Sequence, residues 1–176
     1  MNETLKVLKE RRSIRAYQKE QITEAQLETI LDAGYWAPSA KNQQSPVLVA
    51  VQDAETIALL SRLNAQVMGT DADPFYGAPT VVVVLADPKA TNEVNCICDG
   101  ALVMGNLLNA AHAVGVDSCY IFRAKESFEC EEGKQLLRAW GVPEHFVGIG
   151  NCILGYRDEG GIKPTSPRKE NYIIKV

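Results

Sequence analysis

Histidine is nearly absent from this sequence: His112 and His145 are the only two in 176 residues. Neither has a partner pattern that would mark a catalytic pair, and His112 reads as a cation near a helix C-terminus. No Gly-x-Gly-x-x-Gly follows a strand, and no Gly-x-x-x-x-Gly-Lys-Ser/Thr occurs, so the dinucleotide-fold and P-loop readings lack their motifs. A phosphate-bearing ligand would therefore have to be held mainly by side chains. The five cysteines, an odd number without framework spacing, suggest reduced thiols in a cytoplasmic protein. Cys96 and Cys98 lack two further ligands at suitable spacing and read as core thiols, with no metal expected. The first thirteen residues hold no apolar signal-peptide core, and the longest apolar run, residues 81–86, is far too short to cross a bilayer. A net charge of -4, with basic residues gathered mostly at the two chain ends, argues against nucleic acid as a partner. Neither nucleic acid nor a membrane is expected to bind.

What is present is ordinary globular material: 46% hydrophobic and 23% charged residues. A chain of this length is expected to form one domain, residues 1–176, and to bury roughly 70% of its unfolded surface without a staple. Residues 3–10 carry Leu5, Val7 and Leu8 among Lys and Glu, which fits a short amphipathic helix. Thr23 and Gln26 form a capping box, with Ile22 and Leu27 placed as a hydrophobic staple, so a helix is expected over 23–36. Residues 47–51 read as a buried strand. Asp53 caps a second helix through about Met68, with Ile57, Leu60, Leu63 and Val67 on its inner side. Residues 69–79 are rich in turn formers and long enough for a lid or substrate wall.

Residues 81–86 are the clearest buried strand, and 92–114 the longest helical signal. That helix has little polar surface, so it is expected to be central. Gly100, Ala101, Gly105, Ala110 and Ala111 would let another backbone come close, and Gly115 sits where a C-cap glycine belongs. A strand over 116–122, a helix near 130–140, a glycine-interrupted strand over 146–156 and a short strand-like end at 172–176 complete the pattern. Intermixed helices and strands without repeats imply an α+β, three-layer α/β/α domain with a sheet of four or five strands.

Three arginines and a hydroxyl lie within Arg11-Arg12-Ser13-Ile14-Arg15, in an otherwise acidic chain. Arginine suits forked hydrogen bonding of phosphate, and Ser13 adds a small donor. Pro38-Ser39-Ala40-Lys41-Asn42 follows, Ser118-Cys119-Tyr120-Ile121 lies farther on, and Pro167-Arg168-Lys169 comes near the end. In these segments the chain resembles the nitroreductase family of FMN-dependent oxidoreductases, over about residues 5–176. It departs from the family's Gln-Pro-Trp after the Asn, reading Gln44-Ser45-Pro46, and has Tyr120 where Trp is frequent.

The resemblance implies a mixed sheet flanked by helices, in an obligate homodimer built on a long central helix. It implies that Arg11, Arg12 and Ser13 hold the FMN phosphate and ribityl chain, with Arg168 and Lys169 reaching the same phosphate. Arg15 would approach the ring edge where reduction places negative charge. Pro38, Ser39, Ala40 and Asn42 would pack on the flavin of the neighbouring subunit, and the backbone of Ser118, Cys119 and Tyr120 would lie beside the ring. Pocket walls are expected from 69–79 and 122–128. The implied activity takes hydride from NADH or NADPH and reduces a nitroaromatic, quinone, enone or flavin by a ping-pong cycle, with no side chain needed as acid or base. A non-catalytic flavin-binding or sensing module uses the same motifs and is the alternative; a flavin-free dimeric interaction domain leaves the arginines unexplained.

Overall fold

A run of seven apolar or small residues without one exposed position needs cover on both faces, and β2 (Thr80–Ala86) has it. It lies inside a four-stranded sheet of order β1-β2-β4-β3, with β1 at Pro46–Val51, β3 at Asp117–Ile121 and β4 at Val147–Gly155. The computed structural model describes residues 2–159 and 167–176. One face of the sheet packs on α3 (Ala54–Met68), α5 (Ala124–Glu129) and α6 (Glu131–Ala139), where Val81, Val83 and Ile153 meet Leu60, Phe128 and Leu137. The other packs on α2 (Glu24–Tyr35) and α4 (Glu93–Ala113), where Val82, Val84 and Leu154 meet Ile30, Met104 and Leu107. These are the three layers expected.

All three strand ladders are antiparallel. Among the described residues the only parallel pairing is the isolated bridge between Ser13 and Ser118. The mixed sheet thus takes a reduced form, four antiparallel strands plus one parallel bridge at the β3 edge. The segment expected as a terminal strand, 172–176, pairs with nothing there and is exposed, because a strand forms only where an edge accepts its hydrogen bonds.

Local chemistry sets the helix starts as expected. Thr23 accepts from the Gln26 N–H while the Gln26 side chain accepts from the Thr23 N–H, and Ile22 and Leu27 are both buried in one cluster. Asp53 accepts from the Thr56 N–H at 2.8 Å. Gly115 and Gly69 take left-handed conformations where their helices end.

Other expectations are corrected. β1 is an edge strand and only Val51 in it is fully buried, so an apolar run here marks position at the sheet's rim and not its centre. Val67 is exposed, as is Met68, in the last turn of α3 before Gly69. Asn64 takes an inner position on that helix instead. Cys98 is exposed while Cys96 is buried, so the two thiols occupy different faces of α4. β4 is not interrupted by its glycines; it bulges at Ile149, between Gly148 opposite Leu85 and Gly150 opposite Val84. The bulged Ile149 fills the space that a Cβ on Gly100 would need, and this is how α4 comes close to the sheet. By length and composition α4 could cross a membrane, yet Cys96, Val103, Met104 and Leu107 bury one face of it on the core. Val94, Ile97 and Leu102 on the same helix are about half exposed or more.

Candidate functional site

Helix α1 (Glu3–Glu10) stops at Arg11, whose N–H still reaches the Val7 carbonyl while its own backbone turns extended. The chain then runs along the β3 edge. Ser13 bridges Ser118, and the Ile14 N–H donates to the Ser118 carbonyl at 3.0 Å. Tyr17 makes a second bridge to Arg157 and donates its hydroxyl to the Ile14 carbonyl. Backbone pairing therefore brings Arg11, Ser13 and Arg15 beside Ser118 and Cys119.

Electrostatics record the same cluster. Burial pushes the Cys119 thiol up, and the Arg15 charge, a Ser13 hydrogen bond and the Arg11 charge only partly oppose it. Burial likewise drives Tyr17 and Cys152 far above their ordinary ranges and raises Tyr120. These groups stay protonated at neutral pH, so Cys119 is no thiolate nucleophile. Tyr120 donates its hydroxyl to the Ile149 carbonyl at 3.0 Å, which ties β3 to the bulge.

The two adjacent arginines differ. Arg12 turns back, its Nη1 donating to the Lys9 and Arg11 carbonyls at 2.7 and 2.8 Å and closing the negative end of α1. Arg11 turns in, and its Nη1 is buried with no hydrogen-bond partner among the described residues. A buried cationic donor in that state can serve an anionic acceptor that the described residues do not supply. Arg168 and Lys169 are exposed, and no hydrogen bond or ion pair joins either to Arg11, Ser13 or Arg15 among the described residues.

Pro38, Ser39, Ala40 and Asn42 lie elsewhere. They precede β1, at the sheet edge opposite β3, and they sit at the end where Pro46 meets Ala86, not the end where Thr80 meets Leu154 and Ser118. Three strand spacings separate the two edges, about 14 Å. One chain alone does not bring the arginine segment and this loop together.

Two polar side chains that sequence patterns did not single out hold these segments. Asp99, buried on α4, accepts from the Ala40 N–H at 2.8 Å and from the Ser45 hydroxyl at 2.9 Å. Asn64, buried on α3, donates to the Phe122 carbonyl and accepts from Arg123 Nε, fixing a turn in which Arg123 is left-handed. The available signal was a lone polar residue at an inner helical position.

Of two large cavities, one of about 880 Å³ runs between α3 and the 70–79 loop, lined by Lys19, Gln52, Ile57, Arg62 and Phe75. It includes none of the expected site residues, so size does not locate the chemistry. The other, about 560 Å³, is lined by Tyr35, Trp36, Pro38, Ser39, Asn42 and Leu48. Residues of the 70–79 loop line the first cavity, and residues 122–128 line neither of the two.

The model of the Nitroreductase family matches residues 8–70, which span the arginines, the 38–42 loop and α3. Over 162 residues the chain is 33% identical to an Archaeoglobus fulgidus protein that carries the provisional name NADH dehydrogenase/NAD(P)H nitroreductase, covering 90% of this chain and 88% of that one. It is 27% identical over 184 residues to the FMN reductase [NAD(P)H] of Bacillus subtilis, covering 96% of this chain and 72% of that one. The crystal structure of a Bacteroides fragilis nitroreductase with bound FMN matches with a TM-score of 0.90 at 30% identity, over 100% of both chains. The chain belongs to the nitroreductase family.

Proposed function

We propose that this chain, acting as a single unit over 1–176, is an FMN-dependent oxidoreductase of the cytoplasm that oxidises NADH or NADPH and reduces a small acceptor. The observation that carries the reading is the Nη1 of Arg11, buried with no hydrogen-bond partner among the described residues, on a side chain whose charge is felt at Cys119. A phosphate monoester, with nearly two negative charges and several acceptor oxygens, fits that donor. Arg11 and Ser13 are the residues that hold it directly, while Arg12, turned onto the end of α1, and Arg168 and Lys169 add positive charge around it. Bound FMN supplies a two-electron carrier that both nicotinamide and acceptor can reach. Arg15, exposed and close enough to perturb Cys119 and Tyr17, sets positive potential at the ring edge. The backbone of Ser118, Cys119 and Tyr120 lines the other edge. The protonated Tyr17 and Cys119 supply no base, and binding and charge account for the chain's contribution.

The site is shared in a homodimer, with Pro38, Ser39, Ala40 and Asn42 coming from the second subunit. Two features support this: the separation of the two segments within one chain, and apolar surface left open on α4 and at Tyr172, Ile173 and Ile174. One pocket then receives reductant and acceptor in turn, the acceptor being a nitroaromatic, quinone, enone or flavin. Initial rates measured at several fixed acceptor concentrations test this. Parallel double-reciprocal lines are expected, and lines that intersect contradict the ping-pong order.

A further inference from the structure

The loop that carries Asn42 is built against its own backbone preferences. Lys41, Asn42 and Gln44 all have φ between 50° and 55°, a region that L-residues other than Asn and Asp enter at a cost. Within the loop, the Gln44 N–H donates to Ser39 Oγ and the Gln44 side chain to Asn42 Oδ1. These bonds shape the loop but do not fix it to anything else. Among the described residues, the two side-chain bonds that do so end on one carboxylate: Asp99 takes the Ala40 N–H on Oδ1 and the Ser45 hydroxyl on Oδ2. The loop is thus clamped at both of its ends by a group on α4. Ser45 stands where the family pattern has proline, which has no hydroxyl to donate, so this arm of the clamp depends on the serine.

Asp99 is 2% exposed, on a helix whose buried neighbours are otherwise apolar or glycine. Packing alone would be served as well by an apolar side chain. Asp99 also belongs to the helix that presents Ile97 and Leu102 outward. A loop fastened to that helix keeps a fixed position relative to whatever covers its outer face.

Resting on the function proposed above, we infer that Asp99 is a positioning residue: it holds the 38–45 loop in its strained form so that Asn42 is presented to the FMN of the second subunit. Asp99 itself touches neither cofactor nor substrate. The test compares Asp99→Ala, Asp99→Asn and Ser45→Ala with wild type by amide hydrogen exchange at Ala40 and by FMN titration of the apoprotein. Asparagine can still accept from Ala40 through its Oδ1, so Asp99→Asn is expected to keep Ala40 protected and to bind FMN within a few-fold of wild type. Asp99→Ala is expected to lose that protection and to bind FMN about 10- to 100-fold more weakly, the range for removing an acceptor and leaving a partly buried N–H unsatisfied. Ser45→Ala, which leaves α4 intact if Asp99→Ala does not fold, is expected to show a smaller loss in the same direction.

The inference is overturned if Ala40 exchange is the same in wild type and Ser45→Ala or Asp99→Ala. It is also overturned if protection is lost while FMN affinity stays at the wild-type value. Wild-type protein that takes up no FMN would instead remove the functional reading itself, a result distinct from either.

Discussion

Replacing Arg11 by methionine should move stability and cofactor affinity in opposite directions. The Arg11 Nη1 is buried without a partner among the described residues. An unsatisfied buried donor costs about 1–3 kcal/mol, and methionine keeps a comparable apolar stem without that donor. The apoprotein should therefore hold its stability or gain from the change. At this chain length about 1 kcal/mol corresponds to about 2–4 °C in Tm, so a rise of a few degrees is the expected result. FMN loses a charge-assisted contact worth about 1.5–3 kcal/mol, so its Kd should rise roughly 10- to 150-fold. Riboflavin, which lacks the phosphate, should bind the variant nearly as it binds wild type. Thermal melts of the apoprotein and fluorescence titrations with both flavins read all three quantities. A lower Tm together with an unchanged preference for FMN over riboflavin would refute the reasoning and make Arg11 a structural residue.

Three further outcomes follow from the same geometry. Arg15→Gln should lower the two-electron potential of the bound flavin by about 30 mV, equivalent to a tenfold shift in the reduction equilibrium, while oxidised FMN binds much as before; an unchanged potential in an FMN-loaded variant removes Arg15 from the mechanism. Gly150→Ala sets a Cβ against the Tyr120 ring, which the Ile149 carbonyl holds in place, so it should cost about 1–3 kcal/mol by overpacking, visible as a lower denaturation midpoint. In heterodimers of Arg11→Ala and Asn42→Ala chains, one site carries both substitutions and the other neither, so isolated heterodimers should show one tight FMN site; two weak sites would mean that both residues act within one chain.

How far the sequence carried these readings depended on the range of the forces involved. Thr23 with Gln26, Asp53 and Gly115 act within a turn of their own position, and each does what its residue type implies. The fully buried β2 declared itself because every residue in it is apolar or small. β1 has almost the same composition but lies at an edge, and strand order is settled by partners far away in the chain. Helix α5 escaped notice because six residues are too few to show a helical period. Of the neighbouring Arg11 and Arg12, composition could not say which turns inward; that is fixed by where α1 stops and how Ser13 pairs with Ser118. The separation of Arg11 from Asn42 likewise follows from sheet topology, and so the case for a shared site became geometric only with the fold. Asp99 looked like one polar residue on an apolar helix until Ala40 and Ser45 were found on its two oxygens.

The central claim, that this chain binds FMN and turns it over with a nicotinamide nucleotide, meets its most direct test in the visible spectrum of the purified protein. The protein, supplied with FMN and freed of excess, should be yellow. Anaerobic addition of NADH or NADPH should bleach it, and a quinone or nitroaromatic acceptor should restore the colour. A protein that takes up FMN but keeps its spectrum with both nucleotides is a binding module and contradicts the enzymatic reading; one that stays colourless contradicts the site.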